Sequence, residues 1–485
     1  LRRFSEIGGG KKKVVYGNNR DEMFAGIMGR MLFAKSPDGV YRRPILPDKD
    51  ALRRHAGGFI KRIIRVAERV RPLTPFEFLA RYKGPKLRAY EDAFESLRTT
   101  PLGSEDFLVR AFVKDEKMDP GKVPRIIRPV STRANARLGL YVYPAEKAIY
   151  TALDRYFGER GVGRTVTKGL NAFEIGALAK EKWDRFEDPV AFVLDCSRFD
   201  QHVSQTALRK LRDLVVSVLR LSVSEEAELR SILDRQLISR IRASTPEASL
   251  KVDIEGQLDS GVMNTSLYGV AMMCMMVDIA SRGKRRELLS AGDDTNIIME
   301  RKDAVSFRER ITAVGRECGF VIRVDKECDE LEQLDFCRMR PVFDGTCWRM
   351  VRLLSESLNR DHLTVKAFDS KRRFEALRKS IGDCGLSLTY GIPMMQSFYN
   401  HLRRGAEDAP VMKDVVRSGM RYLATGLTIR NAEVTVEARV SFFLAFGVTP
   451  AQQEVYEQSM DVGTIDYHRH QCDSRFEYNL PHYDF

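Results

Sequence analysis

The stretch Leu288-Leu-Ser-Ala-Gly-Asp-Asp-Thr-Asn-Ile-Ile-Met299 constrains the fold more than any other in the chain. Apolar residues flank a Gly-Asp-Asp centre on both sides, which is the pattern of a β-hairpin with buried strands and two carboxylates at its turn. Asp293 and Asp294 would then stand at the tip. Adjacent carboxylates in a tight turn repel each other and lose solvation, so a fold that holds them together is expected to supply a cation, most simply Mg²⁺. A solvated Asp-containing turn has the same local sequence, so the decision falls to the rest of the chain.

Val190-Ala-Phe-Val-Leu194 is a continuous apolar run, as expected of a strand covered on both faces, and it leads into Asp195-Cys-Ser-Arg-Phe-Asp200. A carboxylate at the end of such a strand is costly unless paired, and a metal shared with Asp293 would pair it. Leu258 to Thr265 reads as a small-residue loop that enters a helix through Met272, Met273, Met275 and Met276. Those methionines are assigned to core packing. Upstream, Phe112-Val-Lys-Asp-Glu-Lys117 and Pro124-Arg-Ile-Ile-Arg-Pro129 flank a Pro120-Gly121 turn and predict a basic hairpin. Strand alternation puts Arg125 and Arg128 on opposite faces, and Arg125 with Lys114 is assigned to a channel.

Composition bounds the partners. Lys plus Arg (80) less Asp plus Glu (67) gives +13 over 485 residues, with the excess concentrated in Lys11 to Lys13 and between Arg42 and Arg65. A polyanion, nucleic acid or an acidic membrane surface, is the expected partner. Eight scattered cysteines without a C-x-x-C pair favour free thiols in a reducing compartment. His468, His470 and Cys472 lack a fourth ligand and are not assigned to zinc. No apolar run reaches the length of a membrane span. The chain begins at Leu1, so an N-terminal extension or a processed start is expected. Residues 1–40 read as a poorly ordered basic segment. Helices are expected over 51–71, from a Thr74 cap to Gly84, and over 89–97, 206–219, 224–240 and 304–318, with a strand at 319–324 and mostly helix beyond 367.

The order of these pieces is more specific than any one of them. A basic hairpin, a strand with D-x4-D, Ser260-Gly261 followed by Asn264-Thr265 and a helix, the Gly-Asp-Asp hairpin, a strand and the Phe336-Cys337 turn together resemble the motif series of viral RNA-dependent RNA polymerases. Phe76-Glu-Phe-Leu-Ala-Arg-Tyr-Lys-Gly84, Leu331-Glu-Gln-Leu-Asp-Phe-Cys337 and Ile381-Gly-Asp-Cys-Gly-Leu386 with Gly391-Ile-Pro393 are similar to tombusvirus-type replicases. The resemblance implies an α/β (α+β) right-hand fold with an antiparallel palm sheet. Fingers would span 41–189 with the basic hairpin at 112–130, and palm 190–205 and 253–349. Fingers and palm helices would fill 206–252, with a mainly helical thumb over 350–485.

The resemblance also implies RNA synthesis for a positive-strand virus by two-metal nucleotidyl transfer with Mg²⁺ or Mn²⁺. Asp195, Asp293 and Asp294 would be the catalytic metal ligands, and Lys114, Lys117, Arg125, Asp200, Ser260, Asn264 and Thr265 would bind the nucleotide. Arg128, Gly261 and Cys337 would touch RNA. Asp200 and Thr265 would read the ribose 2′-hydroxyl. The family usually has Gly-Asn three and four residues beyond the Thr, where this chain has Tyr268-Gly269. Arg323 stands where relatives tend to carry Lys, and no general acid is assigned. Expected partners are RNA template and product, nucleoside triphosphates, other replicase proteins, and host membranes reached through partners in the cytoplasm. A reverse transcriptase shares the carboxylate logic but is not expected to carry Asp200 or Asn264. A non-catalytic RNA-binding replication factor gains nothing from an acidic cluster facing RNA.

Overall fold

The computed structural model describes residues 2–3, 13–35, 39–158, 163–365, 370–412, 419–461, 465 and 467. Lys11, Lys12 and the His468, His470 and Cys472 group lie outside the described residues. In chain order the helices used below start with α1 (Arg20–Ile27), α2 (Lys49–Val66), α3 (Pro75–Leu79), α4 (Gly84–Thr99), α5 (Thr132–Phe157) and α6 (Ala172–Trp183). They continue with α7 (Phe199–His202), α8 (Gln205–Ser217), α9 (Val223–Asp234), α10 (Thr265–Ala280) and α11 (Ala304–Cys318), and close with α12 (Lys371–Thr389), α13 (Met395–Arg403), α14 (Val436–Phe446) and α15 (Pro450–Asp461). The strands are β1 (Val109–Val113), β2 (Ile126–Ile127), β3 (Pro189–Cys196), β4 (Ile238–Ser244), β5 (Ser249–Glu255), β6 (Arg286–Ala291), β7 (Asp294–Glu300), β8 (Ile322–Cys328), β9 (Met339–Phe343) and β10 (Trp348–Arg352).

The fold mixes helix and sheet around a four-stranded antiparallel sheet in the order β8-β3-β7-β6. Its central strand β3 is apolar at successive positions because both faces are covered. Val190, Phe192 and Leu194 enter the main core with α10, while Ala191 enters a second core with Leu289, Ile298 and the α6 residues Ala172 and Ile175. In α10 every residue from Leu267 to Ala280 is buried, the four methionines included, which matches their assignment to packing. Each such side chain contributes about 1.5–3 kcal/mol of burial.

A second four-stranded sheet, β2-β1-β4-β5, carries the basic hairpin: β1 and β2 pair antiparallel through Phe112 with Ile127 and Val113 with Ile126. β1 also lies parallel to β4, and β4 and β5 form a hairpin over 238–255. The expectation of helices across 206–252 therefore holds for α8 and α9 but not beyond. Ile241 and Ala243 need a sheet partner more than they suit a helix face, and β1 supplies it through Val109 and Ala111.

Residues 13–35 also depart from the expected poorly ordered segment. Asn19 caps α1 by accepting from the backbone of Glu22, and Met23, Ile27 and Met31 are buried against Val109, Ala111 and Val113. The glycine and lysine run before residue 13 masked that helical spacing. At α3, Thr74 and Glu77 form the expected capping box, with Pro75 at the first turn. Gly84 does not end that helix. It has φ +62° and opens α4 with Pro85 at the first turn. Beyond Arg352 the described secondary structure is mainly helical, with α12 packed on α13 and α14 on α15 and β9.

Candidate active site

The β6–β7 turn is built from Gly292 and Asp293, between paired Ala291 and Asp294. Gly292 has φ +72°, which a two-residue hairpin turn of the II′ kind requires at its first position. On the other side of β7, Thr295 pairs with Leu194 of β3, so the turn carboxylates stand beside Asp195, the next residue of β3. β8 completes the row: Arg323 pairs with Asp195, and a bulge between Val324 and Lys326 leaves Asp325 unpaired next to it. The three strand ends therefore gather Asp195, Asp293, Asp294 and Asp325 in one recess.

Electrostatics confirms the crowding. Desolvation raises Asp195 above its ordinary value, with Asp325 and Asp293 adding repulsion against the pull of Arg323. Burial raises Asp293, opposed by Arg125, and pushes Asp294 up to about 6 with help from Asp293. Solvent still reaches the side chains of all three residues, so they line an open recess and not a sealed core. Cys337, held at φ 52°, is hydrogen-bonded to Asp294, which places it at the carboxylates. Among the described residues no three or more His, Cys, Asp or Glu side chains are close enough together to cage a metal ion. The donor set is nonetheless all carboxylate oxygen with raised proton affinity, which suits a hard divalent cation shared between strands.

Next to this recess lies a cavity of about 550 Å³ lined by Arg125, Asp200, Ser260, Thr265 and Asp293, five of the residues singled out in the sequence. Asp200 sits in α7 just after Arg198, which adopts a left-handed φ of 51°. Burial pushes Asp200 up to about 6, with Arg128 opposing and Asp293 and Asp259 adding to it. Arg125 is more than half exposed, 3.5 Å from Glu116. Thr265 spends its hydroxyl proton on Asp259 O at 2.6 Å and Val262 O at 2.9 Å. Ser260 Oγ accepts from the Arg128 backbone at 3.2 Å, and its own proton has no acceptor among the described residues.

Gly269 explains the departure from the Gly-Asn pattern. It lines the same cavity, and a Cβ there would meet Gly292 at 3.1 Å and Asp293 N at 3.4 Å. The helix approaches the carboxylate turn so closely that a side chain at this position would press on the turn.

The geometry gives five of the assigned residues partners within the chain. Lys114 pairs with Glu116 at 2.9 Å and does not line the cavity beside Arg125. Lys117 donates to Arg360 O at 2.6 Å and Leu363 O at 2.9 Å, so it ties the basic hairpin to the 360 region, and burial pulls it down to about 8. Asn264 is fully buried and donates to Gln236 Oε1 at 2.8 Å, away from the cavity. Arg128, expected to touch RNA, is 4% exposed; it donates to Gln257 Oε1 at 3.0 Å and to Leu258 O, with Asp259 at 3.4 Å and Asp200 at 3.9 Å. Gly261 is glycine because a Cβ would lie 2.6 Å from Pro129 Cα, and its backbone is bonded to Arg128 O at 3.2 Å.

The cavity adds Lys168, which the sequence reading passed over. The 165–167 strand segment runs along Ser290, bonded to it in both directions, and so delivers Lys168 to the cavity wall, paired with Glu146 at 2.7 Å. A cation before a glycine turn, Lys168-Gly169, was the available signal.

The chain matches the model of a family described as viral RNA dependent RNA polymerase over residues 1–467. It belongs to that family. It is 32% identical over 474 residues to an RNA-directed RNA polymerase of Tobacco necrosis virus (strain A), covering 96% of this chain and 64% of that protein. It is 30% identical over 471 residues to the polymerase of Melon necrotic spot virus, covering 95% and 58%. For Turnip crinkle virus the figures are 29% over 467 residues, 94% and 59%. These relatives are members of the Tombusviridae. The chain thus spans 64% or less of the length of each of the three.

Proposed function

We propose that this viral polymerase-family chain extends RNA on an RNA template from ribonucleoside triphosphates. The observation that carries the reading is the meeting of Asp195, Asp293 and Asp294 at the ends of adjacent antiparallel strands, with Asp293 also on the wall of a cavity lined by Arg125, Lys168 and Asp200. The α10 and β6–β7 framework serves as the palm. The basic second sheet with the N-terminal helices serves as fingers, and the helical part beyond β10 as thumb.

Asp195 and Asp293 would hold the divalent cation, Mg²⁺ or Mn²⁺, with Asp294 beside them. When bound, the ion would supply Lewis-acid stabilisation of the charge that develops as the RNA 3′-hydroxyl attacks the α-phosphate and pyrophosphate leaves. Arg125 and Lys168 lie on the cavity wall and neutralise phosphate charge, Arg125 as a planar fork and Lys168 as a point charge. Asp200 accepts a hydrogen bond from the ribose 2′-hydroxyl when ionised, and Ser260 adds its free hydroxyl proton. Thr265 fixes the loop, since its own proton is already committed. Lys326 donates to Gln333 O at 3.1 Å and is not aimed at the cavity as an acid.

The same reading extends to a site of work: replication complexes at host membranes in the cytoplasm, reached through other replicase proteins. Among the described residues no helix is long and apolar enough to cross a membrane. The test is incorporation of labelled ribonucleotides on a defined RNA template with Mg²⁺ or Mn²⁺. Asp293→Ala is expected to lower incorporation by at least roughly a thousandfold while RNA binding persists. A wild-type chain that binds RNA and extends nothing with either metal would overturn the proposal.

A further inference from the structure

Behind α7 there is a second cavity, of about 640 Å³, bounded by the 31–33 segment, the 43–53 segment, the 201–209 segment and β5. The short helix α7 is the partition: Asp200 lines the active-site cavity, and Gln201 and His202 line this one. Gln201 and His202 are each 4% exposed, yet both amide atoms of Gln201 and Nε2 of His202 lack a hydrogen-bond partner among the described residues. Unsatisfied buried polar groups are rare enough to need a cause. Their polar neighbours on the wall are satisfied: Gln205 donates to Leu237 O at 3.0 Å, Ser204 caps Ala207 at 3.2 Å, and Gln257 binds Arg128.

The mouth is cationic. Arg43, Lys49 and Arg209 are exposed on it and make no ion pair among the described residues, whereas Arg53 is held by Asp50 at 3.2 Å. On the opposite wall Asp253 is bound to Arg242 at 2.8 Å, with Glu255 beside it. Phe33 and Ile254 give the interior apolar surface, and Leu46 is 85% exposed at the edge.

We propose that this cavity binds a free nucleoside triphosphate as a second site, distinct from the active site. A glutamine amide offers one donor side and one acceptor side, which is what a nucleobase edge complements. Phe33 and Ile254 cover the base, Arg43, Lys49 and Arg209 take the phosphates, and Glu255 accepts from the ribose hydroxyls. The volume falls in the ordinary range for small-molecule sites. Occupancy fixes Gln201 and His202, and through the single helix they share it fixes Asp200.

The experiment is photolabelling of the full chain with 8-azidoadenosine triphosphate in EDTA, followed by peptide mapping; it needs no polymerase activity and so stands or falls separately from the function proposed above. Label is expected in peptides covering 43–53 or 201–209. The double variant Arg43→Glu, Arg209→Glu should lose it by about tenfold or more at an unchanged melting temperature, with labelling of peptides covering 258–270 retained. ATP should compete at least roughly tenfold better than inorganic tripolyphosphate, and better than a 5′-triphosphorylated RNA oligonucleotide. Label confined to 258–270 and 291–294, or insensitivity to the charge reversals, overturns the site. Equal competition by tripolyphosphate reduces it to an anion patch, and stronger competition by the RNA end overturns the free nucleotide as occupant.

Discussion

Arg128→Met separates two roles that the same guanidinium could have. If Arg128 held an RNA phosphate, its loss would leave folding intact and reduce the slope of log affinity against log salt by about 0.7 to 0.9. The structure assigns it instead to the loop under the active-site cavity. It is 4% exposed and donates to Gln257 and Leu258 O, and its partner Asp259 is 6% exposed and 3.4 Å away. Asp259 has one other anchor, Ser239 Oγ at 2.7 Å. Burial already raises Asp259, and Arg128 is the main charge opposing that rise. Removing the cation from a buried pair leaves the carboxylate uncompensated, at a cost of about 3–5 kcal/mol. Arg128→Met should therefore lower the urea midpoint by an amount equivalent to that energy. Asp259→Asn made on top of it should recover part of the loss, with a coupling energy of roughly 1–3 kcal/mol from the double-mutant cycle. RNA binding by the folded fraction should keep its salt slope. Stability within about 1 kcal/mol of wild type together with a reduced slope would refute the reasoning and return Arg128 to the RNA.

Asp293→Asn removes one of a set of mutually repelling carboxylates, so it should abolish incorporation and yet stabilise the fold by about 0.5–2 kcal/mol, read from thermal melting without divalent metal. Asp200 is pushed from 3.8 up to about 6 chiefly by burial, so across that window the folded chain holds a proton that the unfolded chain has released. Wild-type stability should then fall relative to Asp200→Asn as pH rises from about 4 to 6, and a constant difference would contradict the shift. Gly269→Ala places a Cβ 3.1 Å from Gly292, which must yield by a few tenths of an ångström, and a severalfold loss of kcat with unchanged RNA affinity is expected. Lys117→Met strands the Arg360 and Leu363 carbonyls, which should cost about 1–3 kcal/mol while leaving KM for nucleotides unchanged; a raised KM would restore Lys117 to the substrate.

What the sequence made legible were features fixed by local pattern. The apolar run at 190–194, the hairpin on Gly292 and the capping box at Thr74 each declare themselves within a few residues, because burial periodicity, positive φ and cap chemistry are local demands. The alternation of Arg125 and Arg128 was equally local, and one arginine is indeed exposed and the other buried. What alternation does not carry is the demand of the other element. Arg128 is buried because the Ser-Gly loop presents two acceptors and a carboxylate to it, from residues more than a hundred positions away.

The same limit governs Lys117 and Asn264, polar residues beside correctly read motifs that are consumed by backbone carbonyls at 360 and 363 and by Gln236. It also governs what was overlooked. Asp325 enters the acidic recess through a bulge in β8, and Lys168 enters the cavity because its segment pairs with Ser290 on the far side of the hairpin. The Gly269 position shows the two kinds of information meeting. The sequence exposed the missing Asn, and the backbone of Gly292, 3.1 Å from where that side chain's Cβ would stand, supplies the reason. With α10 this close to the turn, a side chain at this position would require the carboxylate hairpin to yield by a few tenths of an ångström. On the function proposed above, reading the ribose falls to Asp200, whose proton affinity burial raises and Arg128 opposes, and Arg128 is itself held by the Ser-Gly loop. On that reading sugar recognition and loop stability share one buried cation, and a change at Arg128 should move both together.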